Sequence, residues 1–187
     1  MDATGSFQID NAYDTSGNAF PVYDGELLAV SELVVNGDFE TCDLTGWSAF
    51  PAGTSPTPYV VSDVAASGTC SVHLGNVPGG SGFQSGTSYI TQRVTLPSGA
   101  SQITFSVSYR AFSDNTHDYP YCQLRNTSGS SLKSLFSDLS NQNVWLTATA
   151  DITAYAGSTV EIYCALFQDG SHISGAWFDD ISVIATF

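Results

Sequence analysis

Ile103, Phe105, Val107 and Tyr109 alternate with Thr104, Ser106, Ser108 and Arg110, the clearest period-two run in the chain. Successive side chains of a strand point to opposite faces, so this run predicts one apolar and one polar face. Comparable segments at Val60–Val64, Ser71–Gly75, Tyr89–Leu96, Tyr121–Asn126, Leu132–Phe136, Trp145–Ile152, Thr159–Phe167 and Ala176–Ile184 predict further strands. Leu27 to Val35 holds enough apolar residues for another. Pro97-Ser-Gly-Ala100, the Thr-Ser-Gly-Ser-Ser stretch from Thr127 and Tyr155-Ala-Gly157 supply the turns between them. About ten strands at even spacing, with no convincing amphipathic helix and no repeat, predict an all-β fold: an antiparallel β-sandwich (jelly roll) with an N-terminal extension.

Length and composition fit that picture. A chain of 187 residues suits one β-domain with an extension. Hydrophobic residues at 42% allow a substantial core, while charged residues at 12% fall to half the usual share. Residues 1–32 read as an acidic N-terminal arm and residues 33–187 as the jelly-roll domain. In the arm, short apolar patches alternate with Asp, Asn and Gly. It reads as a loose tail, or as an arm that docks on a neighbouring subunit.

Charge narrows the partners. Net charge is −14, and Arg93, Arg110, Arg125 and Lys133 are the only basic side chains. Nine of the 18 carboxylates lie within residues 1–43. Binding to phosphate backbones needs many Lys and Arg, so nucleic acid is disfavoured, and anionic membrane surfaces with it. Calcium or a basic protein surface would be welcome; alternatively, the acidity only keeps the chain soluble. No stretch approaches the ~20 apolar residues of a membrane helix. Residues 1–30 lack the basic and apolar regions of a signal peptide, so either a signal has been removed or the protein leaves a cell by another route, as a phage particle does.

Cys42, Cys70, Cys122 and Cys164 allow three pairings, and no Cys-x2-4-Cys spacing or His cluster suggests zinc. Cys42 and Cys70 fall near loop edges and are the better disulfide candidates. Cys122 and Cys164 each sit inside a predicted strand and suit buried thiols as well as a cross-strand bridge.

Two carboxylate-bearing segments frame the domain: Leu33-Val-Val-Asn-Gly-Asp-Phe-Glu40 with Gly46-Trp47, and Trp177-Phe-Asp-Asp-Ile-Ser-Val183. A sandwich that brings its first and last strands together could let these carboxylates share a cation. With Gly68-Thr-Cys-Ser-Val-His-Leu-Gly75, Ile90–Pro97, Ile103–Arg110 and Ala150–Gly157, the order of segments resembles the galactose-binding-like jelly rolls of bacteria and phages. These occur as carbohydrate-binding and adhesive modules. The resemblance covers about residues 33–187 and specifies fold better than function. It implies a structural Ca²⁺ tying first strand to last, held by Glu40 and by Asp179 or Asp180. If Phe178 is buried, alternation puts Asp180 on its face; if Trp177 is buried, Asp179. The family pattern favours Asp180.

Catalytic chemistry finds little support. The central strands carry Glu161 almost alone, His73, His117 and His172 are scattered, and no Gly-x-Ser-x-Gly or His-Glu-x-x-His occurs. A binding face can be read instead. If Phe105 and Val107 point inward, Arg110 points outward, and the same logic places Tyr121, Gln123 and Arg125 beside it, with Tyr163, Ala165 and Phe167 extending the surface. Tyrosine offers an apolar platform to a sugar ring, and Arg and Gln offer directed hydrogen bonds. Arg110, Tyr121, Gln123 and Tyr163 are the candidate ligand-binding residues, with the loop Asp114–Tyr119 as a rim; alternatively the tyrosines meet another subunit. Two functions follow: a non-catalytic glycan-binding or adhesive module on an extracellular surface, or a structural accessory protein of a phage virion (capsid decoration or fibre) that assembles through residues 1–32.

Overall fold

The computed structural model describes residues 29–51, 53–113, 117–139 and 142–187. The strands are β1 (Val30–Glu32), β2 (Ser48–Phe50), β3 (Tyr59–Val61), β4 (Ser71–Gly75), β5 (Ser85–Thr95), β6 (Gln102–Ser113), β7 (Tyr119–Asn126), β8 (Ser131–Ser137), β9 (Leu146–Asp151), β10 (Thr159–Asp169) and β11 (Ser174–Thr186). They form two antiparallel sheets. The first runs β3-β4-β11-β6-β9, with β1 also pairing β11; the second runs β2-β5-β10-β7-β8. The chain folds as the expected jelly-roll β-sandwich.

Period two builds the core. Ile103, Phe105 and Val107 of β6 are fully buried, as are Cys122 and Leu124 of β7 and Ile162 and Cys164 of β10. Each large apolar side chain enclosed this way contributes roughly 1.5–3 kcal/mol. Cys164 and Cys122 lie directly opposite each other on β10 and β7 and form a disulfide inside the core. A second disulfide, Cys42–Cys70, pins the opening loop to the start of β4. Of the two readings left open for Cys122 and Cys164, the cross-strand bridge is the one formed.

The two framing segments do meet. Val30–Glu32 pairs with Ile184–Thr186, so this strand, placed within the arm by sequence, belongs to the first sheet. The chain then runs on beside β11: Leu33 N donates to Val183 O (3.0 Å) and Ile181 N to Gly37 O (2.8 Å). A Cβ on Gly37 would fall 1.8 Å from Ile181 O, so this approach requires glycine. Beyond Glu32 the segment is turns, not the strand expected through Val35. Residues 1–28, with most of the arm and the assembly role read for it, lie outside the described residues, as do 114–116 of the proposed rim loop.

Alternation of buried and exposed positions gives way to continuous burial in β4, in the middle of β10 and in the first half of β11. Trp177 and Phe178 are both buried, at 3% and 0% exposure, because Trp177 is covered on the outer face by His73, Phe112 and Arg110 while Phe178 faces the core. Register shifts between Asp179 and Ser182, and Asp180 adopts φ 49°. This bulge keeps Asp180 out of the core, where strict alternation from Phe178 would have put it.

Candidate functional site

β7 and β10 are neighbours in the second sheet, and their outward residues fall in rows. Tyr163 pairs with Gln123 and, on its other side, with Thr91 of β5; Ala165 pairs with Tyr121 and Tyr89; Phe167 pairs with Tyr119 and Thr87. The rings form a continuous path: Phe50–Tyr89 at 5.0 Å between centroids, Tyr89–Tyr163 at 4.6 Å, Tyr163–Tyr121 at 6.0 Å, Tyr121–Tyr119 at 5.6 Å and Tyr119–Phe167 at 5.4 Å. Phe50 enters from β2, a three-residue strand that the sequence pattern does not announce. Beside the path lies a cleft of about 600 Å³ lined by Gly46, Ser48, Phe50, Tyr89, Thr91, Gln92, Arg93 and Glu161. Thr91 Oγ1 is buried there and has no hydrogen-bond partner among the described residues.

Three of the four candidate ligand-binding residues therefore come together: Tyr121, Gln123 and Tyr163. Arg110 does not join them. Its strand pairs with β11 and β9 in the other sheet, and its guanidinium covers Trp177 (5.3 Å) while Nε donates to Asn143 Oδ1 (2.9 Å). The outward parity of Arg110 was read correctly. Its placement beside Tyr121 was not, because the chain between β6 and β7 crosses from one sheet to the other. Tyr163 also differs from an open platform. It is only 3% exposed, since Arg125 Cζ sits 3.2 Å from its ring centroid. Burial, followed by a hydrogen bond with Tyr121, pushes its phenol pKa up.

One end of this face rests on a buried polar network that no periodicity foretells. Gln168 Oε1 accepts from Ser55 Oγ, its Nε2 donates to Asn76 Oδ1 and Ser174 O, and Ser174 Oγ donates to Asp118 Oδ2. These residues are 7% exposed or less and tie the loops around residues 55, 76, 118 and 174 to one another. Satisfied in this way, the network fixes that rim.

The candidate metal residues hold a different region. Glu40 Oε1 accepts from the amides of Thr69 and Cys70 (both 2.8 Å), and these bonds lower its pKa. Asp180 accepts from Ser67 Oγ (2.7 Å) and Ser108 Oγ (3.2 Å). Both carboxylates thus grip the 67–70 stretch. Their hard oxygens suit calcium chemically, and Glu40 Oε2 carries none of these hydrogen bonds. Among the described residues no group of three or more His, Cys, Asp and Glu side chains could hold a metal ion. The neighbouring Asp179, passed over in favour of Asp180, is the buried one. It accepts from Ala66 N and Ser67 N at Oδ2 and from Asp180 N at Oδ1.

No family model matches the sequence. No curated protein matches it either. Solved structures match the fold. A family 61 carbohydrate-binding module in complex with β-1,4-galactotriose aligns at TM-score 0.59 and 14% identity, over 82% of this chain and 98% of that one. The C-terminal family 22 module of Clostridium thermocellum Xyn10B aligns at 0.54 and 16%, over 83% and 91%. The enzymatically active domain of bacteriophage CBA120 tailspike protein 4 aligns at 0.57 and 14%, over 83% of this chain and 21% of that one. The chain has the jelly-roll fold that carbohydrate-binding modules share.

Proposed function

We propose that this chain is a non-catalytic, extracellular β-sandwich module that binds glycans on the outer face of its second sheet. The aromatic path from Phe50 to Phe167, with Gln123 and Thr91 beside it, is the observation that carries this reading. Two disulfides suit an oxidising compartment. The outward carboxylates of β10, Glu161 and Asp169, are eight residues apart along one strand, about 26 Å at strand rise. Paired glycosidase carboxylates stand within about 10 Å. A glycan array followed by titration tests the reading: Tyr121→Ala and Gln123→Ala are each expected to weaken binding about tenfold, with the melting temperature little changed. Wild-type protein that binds no glycan, or variants that bind like wild type, would overturn it.

The virion alternative has one point in its favour, the tailspike fold match. Symmetric assembly on size exclusion that is lost when residues 1–28 are removed, with β1 kept in its sheet, would move the chain to that reading. Calcium at Glu40 and Asp180 is a separate proposal. Millimolar calcium is expected to raise the melting temperature of the wild type and not of a Glu40→Ala/Asp180→Ala variant. An unchanged melting temperature in calcium and in chelator would sink it.

A further inference from the structure

The face just described carries a positive charge that stacking and hydroxyl recognition do not use. Arg125 lies over the Tyr163 ring at 3.2 Å, and its Nε and Nη2 both donate to Gln123 Oε1 (3.1 and 2.9 Å). A ring and an amide therefore hold one guanidinium in a fixed, half-buried position. Among the described residues no carboxylate lies within ion-pair distance of it. Glu161, its cross-strand neighbour, pairs instead with Arg93 at 3.5 Å on the far side. The chain has 18 carboxylates and four basic side chains, yet none of the carboxylates among the described residues is a counter-ion to this arginine.

Desolvating a charge without pairing it is unfavourable, and the cation–π contact compensates only in part. An incoming anion would complete the arrangement. The planar fork of a guanidinium matches a carboxylate, and the N–H groups not given to Gln123 remain to meet one. Neutral sugars need hydroxyl partners, which the side-chain amide of Gln123 can offer. Resting on the glycan-binding reading above, we infer that the glycan recognised carries a carboxylate, as a uronic acid residue seated on Arg125 beside Tyr163 and Tyr121. Arg125 then sets the charge class of the ligand, while the rings set its orientation.

Methyl esterification separates charge from sugar identity. The full chain is titrated with oligosaccharides of galacturonan, glucuronan and alginate, each beside its methyl ester, and with neutral galactan, xylan and β-glucan and a sulfated galactan. At least one uronan is expected to bind tenfold or more tightly as the free acid than as the ester. Arg125→Gln should abolish that difference by weakening the acid form far more than the ester, and Arg125→Lys should retain part of it. Glu161→Gln, which removes the carboxylate across the strand from Arg125, should raise the ratio of acid to ester affinity, so the inference does not depend on Arg125 variants folding well. Equal binding of acid and ester, a preference for sulfated or neutral glycans, or an acid preference that survives Arg125→Gln would overturn the charge assignment and leave glycan binding standing. Absence of binding to every glycan, neutral ones included, would overturn both.

Discussion

Full reduction of the two disulfides is expected to unfold the domain near room temperature, and to do so in two separable steps. Cys42–Cys70 and Cys122–Cys164 close loops with sequence separations of 28 and 42. The loops do not overlap, so their effects on the unfolded chain are close to independent. Chain entropy gives about 3.5–4 kcal/mol for each at 25 °C. Together that rivals the 5–15 kcal/mol of net stability typical of a domain.

The order of loss follows from access. Cys42 is exposed, whereas Cys122 and Cys164 are fully buried between the sheets. Thiolate attack requires a reachable sulfur. Mild reductant with alkylation should therefore open Cys42–Cys70 through the exposed Cys42 and label Cys42 first, since Cys70 is itself fully buried, leaving a folded protein with a lowered melting temperature. Cys122 and Cys164 should label only as the domain unfolds. Simultaneous labelling of all four cysteines in folded protein, or a melting temperature unmoved by full reduction, would contradict this.

The sequence pattern reached the faces of individual strands and stopped at their neighbours. The alternation in Ile103–Arg110 and Tyr121–Arg125 correctly sorts inward from outward residues, because side-chain parity is local. Which strand lies beside which is a long-range matter, so Arg110 and Tyr121 share a parity and sit on opposite sides of the sandwich. β2 escapes notice because Ser48-Ala-Phe50 is too short to show a period. Parity also predicts that Arg125 leaves the core, but not that its guanidinium folds onto Tyr163. The framing segments were legible as a closure because the first and last strands pair. Their chemistry was not: a one-residue bulge decides that Asp179, not Asp180, is buried.

That burial leads to a stability profile in which two groups oppose each other. Desolvation raises the pKa of Asp179 from 3.8 to about 6. Desolvation also lowers that of His73, fully buried and 4.9 Å from the Trp177 ring, from 6.5 to about 4. His73 Nε2 donates to Asn76 O, and its Nδ1 has no partner among the described residues, so neutral imidazole is the favoured form. Between about pH 4 and 6 folded Asp179 holds a proton that the unfolded chain releases, so its contribution falls as pH rises. Over about pH 4 to 6.5 the unfolded chain protonates His73 while the fold does not, so that contribution rises with pH. Each shift corresponds to about 3 kcal/mol at most.

The wild type should thus show nearly level stability from pH 4 to 6 as far as these groups decide it. His73→Gln, which keeps an amide donor for Asn76, should expose the falling slope. Asp179→Asn should expose the rising one. It should also be weaker at every pH by about 1–3 kcal/mol, because both carboxylate oxygens accept backbone N–H groups and an Asn amide would turn a donor toward one of them. Urea unfolding of the three proteins at pH 4, 5, 6 and 7 checks the pattern. Parallel profiles would show that neither group titrates in the fold as its burial demands, while slopes of opposite sign would place two buried ionisable groups in the first sheet, away from the face proposed to bind.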